Sequence, residues 1–327
     1  MLSSAMILFI TLATGEFLLG ILVNGFIVLV NCIDWIKRKK LSPSDLILVS
    51  LAISRIGLSC TITWNGYLIL TSIEVPTYIR IIDIFLILTH TSNIWFTTIL
   101  NIFYFLKITN FSNPLFLWMK WRIDRMFFML LIGPVLIYFS IGFPMTERMY
   151  YYYGRLFSGG KERNMSQDVQ VKKSMFLMFH VLIGLLPLVP FILSIISLSL
   201  LILSLWRHTR QMQLNSTGFR DPSTEAHVRA MKAVSSFAVI FLLYYMSLFA
   251  DYMTVEKNKL TSILSMSIML LYPSGHSLIL ILWNNKLRKT ALRVSALIRC
   301  CQRGSHLQAL WLPLGIIWHF LGVKKKH

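Results

Sequence analysis

The sequence predicts an all-α fold: a seven-transmembrane helix bundle with its N-terminus extracellular and its C-terminus cytoplasmic. Three observations carry that reading. The chain is 56% hydrophobic and 14% charged, with mean hydropathy +0.65, far from the roughly 25% charged residues of soluble domains. Seven stretches lack Asp, Glu, Lys and Arg: Phe17 to Ile33, Ile56 to Ile73, Ile84 to Leu106, Met126 to Thr146, Ser174 to Trp206, Ala233 to Ala250 and Leu260 to Asn285. The first two extend past Glu16 and Arg55, so all seven approach or exceed the ~20 residues that span a hydrocarbon core. Most of the 32 Lys and Arg then fall on one side, in segments such as Lys37 to Lys40, Lys120 to Arg125, Arg207 to Lys232 and Lys286 to Arg303. That asymmetry sets the orientation by the positive-inside rule. The net charge of +19 is therefore topological, and no nucleic-acid partner is expected.

Span one, about 5–33, contains Glu16 and Asn24. No cationic region precedes it, so it is read as its own insertion signal rather than a cleaved one. A basic loop leads to Ser42-Pro43-Ser44-Asp45, which resembles a helix start, and then to span two, about 45–73, with Arg55. Span three, about 81–107, is the expected centre of the bundle, holding Thr89, His90, Thr91, Ser92, Asn93, Thr97, Thr98, Asn101 and Tyr104. Polar groups in lipid are costly unless they face other helices or a wet cavity. After it, Trp118, Lys120, Trp121 and Arg122 read as an interfacial belt.

Span four, about 126–146, ends near Pro144, and Glu147 to Lys173 forms the longest outer loop. Of three N-x-Ser/Thr sequons only Asn164 lies outside, so it is the expected glycosylation site. Span five, about 174–206, carries Pro187 and Pro190, which should bend it. Pro222 with Ser223, Thr224 and Glu225 starts a helix that continues into span six, about 230–252, with Tyr244 and Tyr245. Span seven, about 260–284, carries Tyr272-Pro273, His276 and Ser277. A cationic amphipathic stretch, about 286–299, fits an interfacial helix.

Residues 300–327 form a cytoplasmic tail. Cys300 and Cys301 suit palmitoylation, with inert thiols as the alternative. The apolar segment 307–323 is short and broken by Pro313, and an eighth span would put Lys324 to Lys326 outside; it is read as interfacial or poorly ordered. None of the four cysteines lies in an outer loop, so no extracellular disulfide framework is expected.

Depth brings four polar residues together. Asn24 and Arg55 each lie about nine or ten residues from their inner helix ends, roughly 14 Å deep, and His276 and Ser277 lie roughly 11 to 12 Å deep. An unpaired Arg at that depth needs partners, so Asn24, Arg55, His276 and Ser277 are expected to form an inner polar knot. It serves either as glue between helices or as a switch.

Enzymatic chemistry leaves no trace. Gly-Lys-Ser/Thr, His-Glu-x-x-His and Gly-x-Ser-x-Gly patterns are absent, and the eight His do not cluster at metal-ligand spacing, so neither metal nor cofactor is expected. Nor are there duplicated halves of the kind many transporters show. Seven helices, a glycosylatable outer loop and a basic inner face fit a receptor coupled to a cytoplasmic protein.

The stretches GEFLLGILVNGFIVLVNCIDWIK, LILVSLAISRI, IWFTTILNIFYFLKITNFSNPLFLWMKWRID, SLWRHTRQM, GFRDPSTEAHVRAMKAVSSF and YPSGHSLILILWNNKLR go further. Over about Gly15 to Arg299 the chain resembles the bitter taste receptors (type 2 taste receptors), a family of seven-helix G-protein-coupled receptors. The resemblance implies a receptor domain over 1–299, a small-molecule bitter agonist, a gustducin-like heterotrimeric G protein as partner and multi-pass residence in the plasma membrane. It implies roles in holding or switching the inner half for Asn24, Arg55, Tyr104, Lys107, Ser204, Leu205, His276 and Ser277. It places Trp64, Thr89, Asn93 and Tyr244 in the outer-half ligand pocket.

Three pocket positions depart from the family pattern: Leu86 where a Trp is common, His90 where an Asn is common, and Met266 where many relatives have an acid. His90 is either a bundle histidine bonded to a neighbouring helix or a ligand contact, and its neutral ring is also of metal-binding type. Lipid contact is implied by the composition, and an oligomer is compatible with it. The alternatives are another chemosensory receptor, of pheromone type, and a membrane transporter or channel.

Overall fold

The computed structural model describes residues 4–39, 42–71, 76–109, isolated positions between 114 and 147, 187–215, 222–253 and 259–302. Asn164, the outer loop around it, most of expected span four, residues 174–186 of span five and the apolar segment 307–323 lie outside the described residues. The described secondary structure is helical throughout.

Helix α1 runs Ser4–Arg38 and closes on Lys39, whose φ of 50° is left-handed and whose N–H reaches the Trp35 carbonyl at 2.7 Å. A residue in that conformation ends a helix by capping its last carbonyls. Helix α2, Pro43–Thr71, starts where proline is best tolerated. Ser42 caps it, its Oγ accepting from the Asp45 N–H at 3.2 Å, and Asp45 in the first turn complements the helix dipole. Helix α3, Pro76–Ile108, again begins on proline and carries Lys107 in its last turn.

A π-helical turn, Tyr138–Gly142, packs Tyr138 against Ile84, Ile87 and Leu88 of α3, with the Tyr138 hydroxyl donating to the Ile84 carbonyl at 2.9 Å. Helix α4 is Leu188–Asn215, α5 is Pro222–Met253 and α6 is Lys259–Trp283. Pro190 falls in the first turn of α4, where its missing N–H has no partner to lose. The helix also continues past the expected inner end at residue 206 to Asn215. Pro222 opens α5 in the same way, so Pro273 of α6 is the proline that interrupts a helix interior among the described residues.

The chain divides into two compact units, Met1–Ser277 and Leu278–His327. In the first, α2 packs on α1 and α3, α3 also touches α4 and the π-helical turn, and α4 packs on α5. Burial in this unit is inverted relative to a soluble protein. Thr91, Ser92, Asn93, Thr97, Thr98 and Asn101 of α3 are buried, whereas Leu18, Leu22 and Leu29 of α1 and Ile192, Ile196 and Leu203 of α4 are exposed. Polar groups inside and bare aliphatic groups outside are what a lipid solvent selects.

Four segments are long and apolar enough to cross a bilayer by length and composition: Ile10–Lys37, Pro43–Leu68, Leu188–Gln211 and Leu264–Trp283. Helix α5 contributes a shorter apolar stretch, Val234–Ser247. The run from Ile84 to Leu106 is free of charge yet less apolar, because Thr, Asn and His lower its hydropathy where a count of charges does not see them.

The second unit is described as far as Gln302. Its helix α7, Asn285–Gln302, is capped by Asn284, whose Oδ1 accepts from the Lys286 and Leu287 N–H groups at 3.0 and 3.3 Å. Cys300 and Cys301 lie on its last turn, their side chains outside the described set.

Candidate functional site

Helices α1, α2, α3, α5 and α6 meet at one continuous set of polar and aromatic side chains. Its centre is Arg55, 0% exposed. Its guanidinium donates from Nε to Asn93 Oδ1 at 3.3 Å and from Nη1 to Ser277 Oγ at 2.9 Å, and Nη2 pairs with His276 Nδ1. The guanidinium also lies 5.4 Å from the centre of the Tyr272 ring. Neutral acceptors and a π face therefore take the place of a carboxylate, which spares the site the desolvation of a second ion.

The relay continues in one direction. Ser277 Oγ accepts from Arg55 and donates to Asn24 Oδ1 at 2.6 Å, and Asn24 Nδ2 donates to the Gly20 carbonyl at 2.8 Å and to the Pro273 carbonyl at 3.4 Å. Chains of this kind polarise one another and strengthen in a low-dielectric interior. Pro273 has no N–H to give the Met269 carbonyl, and Asn24 attaches α1 to α6 at that interruption. Asn24, Arg55, His276 and Ser277 are thus brought together in one cluster.

Asn93 and Tyr272 lead from Arg55 to a second cluster. The Tyr272 hydroxyl is 2.9 Å from Thr97 Oγ1, and its ring stacks on Tyr244 with centroids 4.3 Å apart. The Tyr244 hydroxyl lies 2.6 Å from Nδ1 of His90, which is 4% exposed. On the other side Phe237 packs against the His276 ring at 3.9 Å. Residue types alone do not mark Tyr272 and Thr97 as members, since an aromatic or a threonine at helical spacing is ordinary bundle filling. The available clue is spacing: Tyr272 precedes His276 by four residues, so both share a face of α6.

Among the described residues the buried side-chain atoms without a hydrogen-bond partner are Glu16 Oε2, Ser59 Oγ, His90 Nε2, Asn93 Nδ2, Trp95 Nε1 and Tyr245 Oη. His90 and Asn93 are three apart on α3, so they sit one above the other. Asn93 is the joint between the clusters, its Oδ1 committed to Arg55 and its Nδ2 uncommitted.

The remaining residues singled out in the sequence are dispersed. Thr89 is half-buried, its Oγ1 donating to the Phe85 carbonyl at 2.7 Å and lying 3.4 Å from Thr61 Oγ1. Its Cγ2 stands 2.9 Å from where a Cβ on Gly57 would be, so α2 and α3 approach closely there. Leu86 and Met266 are half-buried. Trp64 is 55% exposed and packs on Tyr67 of its own helix, on a face turned away from the cluster. About three turns beyond Asn93, Tyr104 is half-buried, while Lys107 is exposed with its ammonium 5.4 Å from the Phe103 ring centre. On α4, Ser204 is half-buried and Leu205 buried. Among the described residues no three His, Cys, Asp or Glu gather as metal ligands.

Comparison with known proteins is decisive on identity. Residues 1–299 match the Taste receptor protein (TAS2R) family. The chain belongs to the type 2 taste receptors. It is 46% identical over 303 residues to Taste receptor type 2 member 7 of Papio hamadryas, covering 91% of this chain and 95% of that one. It is 41% identical over 303 residues to Taste receptor type 2 member 9 of Homo sapiens (90% and 96% covered) and 44% identical over 306 residues to Taste receptor type 2 member 8 of Pongo pygmaeus (91% and 98% covered). This type 2 taste receptor is accordingly a membrane receptor of the bitter taste class and not an enzyme.

Proposed function

We propose that this receptor spans the plasma membrane seven times, N-terminus outside, and detects small amphipathic bitter compounds in the outer half of its bundle. In this reading His90, Asn93 and Tyr244 contact the agonist directly, with Leu86, Thr89, Met266 and Trp64 around them. The single supporting observation is the pair of buried, unpartnered nitrogens, His90 Nε2 and Asn93 Nδ2, on one face of α3. A buried polar nitrogen without a partner costs about 1–3 kcal/mol, which an agonist would recover with a carbonyl or ether oxygen at Asn93 Nδ2 and with a hydroxyl at His90 Nε2, able to donate or accept as the tautomer requires. An agonist held on Asn93 Nδ2 shares that amide with Arg55, so binding and the Arg55 network influence each other.

The agonist favours the arrangement with splayed inner helix ends, and a gustducin-like heterotrimeric G protein favours it too, so each tightens the other's binding. Asn24, Arg55, His276 and Ser277 bias that equilibrium, while Tyr104, Lys107, Ser204 and Leu205 hold the inner half. The receptor domain occupies 1–299, Asn164 carries glycan, 286–299 lies at the membrane surface, and Cys300 and Cys301 are acylation positions.

The test is agonist-dependent calcium release in cells supplied with a gustducin-like chimera. His90→Ala should weaken agonist potency about tenfold, the value of one hydrogen bond, at unchanged surface expression. Equal potency across a responsive set of compounds would remove His90 from the pocket, and a response that persists without G protein would refute the coupling.

A further inference from the structure

A groove of about 680 Å³ lies between the C-terminal half of α4 and the N-terminal half of α5, lined in part by Ile202, Leu203 and Trp206 from one helix and Lys232, Ser235 and Ser236 from the other. It opens away from the core. Leu201, Leu205 and Thr209 are the buried side of α4 here and Val234 and Phe237 that of α5, whereas Leu203, Trp206, Lys232 and Ser236 are exposed. The groove therefore belongs to the outer wall of the bundle, not to the network around Arg55.

Its lining is graded along the helices. Ile202 and Leu203 are aliphatic, Trp206 follows one turn on, and the Arg210 guanidinium lies 5.6 Å from the Trp206 ring centre. Lys232 stands where the charge-free run of α5 begins, with Ser235 and Ser236 a turn further into that run. Among the described residues neither Lys232 nor Arg210 forms an ion pair. An aliphatic trough with two hydroxyls along it, ending in an indole and Lys232, with Arg210 on the far side of that indole, matches an amphiphile with an anionic head.

We propose that this groove is a binding site for an anionic phospholipid of the cytoplasmic leaflet, its phosphate between Lys232 and Arg210 and an acyl chain along Leu203 and Ile202. The leaflet assignment rests on the seven-span orientation proposed above. Charge complementarity selects the head group, the inner leaflet being the anionic one. The outward opening selects a lipid over the signalling protein, whose surface is the mouth of the bundle.

The experiment uses the full chain in nanodiscs containing phosphatidylcholine with bromine-labelled phosphatidylserine or, separately, bromine-labelled phosphatidylcholine. The contribution of Trp206 to fluorescence quenching is taken as the difference between the native chain and Trp206→Phe. Stronger quenching by the serine lipid is expected, weakened about fivefold by Lys232→Gln and by Arg210→Gln and retained in Lys232→Arg, which also reports that the groove is intact. Equal quenching by both lipids, or a preference that survives loss of both cations, overturns the site. Displacement by soluble glycerophosphoserine would show that the head group alone binds, and displacement by G protein would give the groove to that protein; either overturns the lipid assignment. The quenching measurement needs no agonist, and G protein enters only as a displacing competitor; labelling of the chain termini from outside the cell checks the orientation separately, so the two readings fail independently.

Discussion

Two arginines in the same unit meet opposite environments. Arg80, near the start of α3, is half-exposed and forms a two-pronged ion pair with Glu147, Nε to Oε1 at 3.0 Å and Nη2 to Oε2. Arg55 is fully buried and, among the described residues, is met by Asn93, Ser277, His276 and the face of Tyr272 and by no carboxylate. Formal pairing looks stronger at Arg80, yet solvent and salt can replace Glu147 there at little cost. At Arg55 the guanidinium and its three acceptors are buried, so a broken contact leaves a buried polar group without its partner. Burial, rather than countercharge, decides which arginine matters to the fold.

The sharpest way to break that contrast is Arg55→Ala, which strands Asn93, Ser277 and His276 in a dry interior and should cost on the order of 3 kcal/mol or more. The thermal midpoint of the purified receptor in detergent reads it; a midpoint equal to the native one would mean that the network is ornamental. Arg55→Lys should fall between, since one ammonium cannot reproduce the planar fork.

Next comes Gly57→Ala. A methyl group there meets Thr89 Cγ2 at 2.9 Å, and a branched side chain whose hydroxyl is already bonded has little room to yield. The expected loss is about 1–3 kcal/mol. Gly25→Ala, where nothing lies within 4 Å, should instead raise the midpoint by up to about 1 kcal/mol of helix propensity.

Tyr272→Phe keeps the ring over Arg55 and deletes the hydroxyl that bonds Thr97 and interacts with the Arg55 guanidinium. Hydrogen bonds between membrane helices average about 0.6 and reach about 1.7 kcal/mol, so a modest drop in the same midpoint is expected. A loss as large as that of Arg55→Ala would place the hub on Tyr272 instead. At the bottom of the scale, Glu147→Gln should shift stability by about 0–1 kcal/mol and lose even that in high salt, which a salt titration of the midpoint tests.

The contrast also explains what could be read from the chain alone. A charged residue in a lipid-facing composition advertises its need for partners, so Arg55 together with depth arithmetic points to Asn24, His276 and Ser277. Aromatic residues advertise nothing comparable. Tyr272 and Tyr244 transmit contact between Arg55 and His90; the resemblance points to Tyr244, but nothing in the residue type of Tyr272 sets it apart from bundle filling. Trp64 shows a different limit: the resemblance implies a pocket position, whereas which side of α2 a residue occupies depends on packing, and the indole lies 55% exposed. Helix ends were legible wherever a residue acts locally, as Ser42 does on Asp45. They were less so on α4, where nothing in the charge pattern marks Asn215 as the last residue.

Pro273 has a mechanical consequence. Helices α2 and α3 have unbroken backbone ladders and are locked at Gly57 and Thr89, so they flex together as a stiff plate. Among the described residues, the helix joined to that plate through Arg55 and missing a rung in its middle is α6. A force applied at Tyr272 of the tyrosine stack meets that missing rung at the very next residue, so a bend in α6 costs least at Pro273.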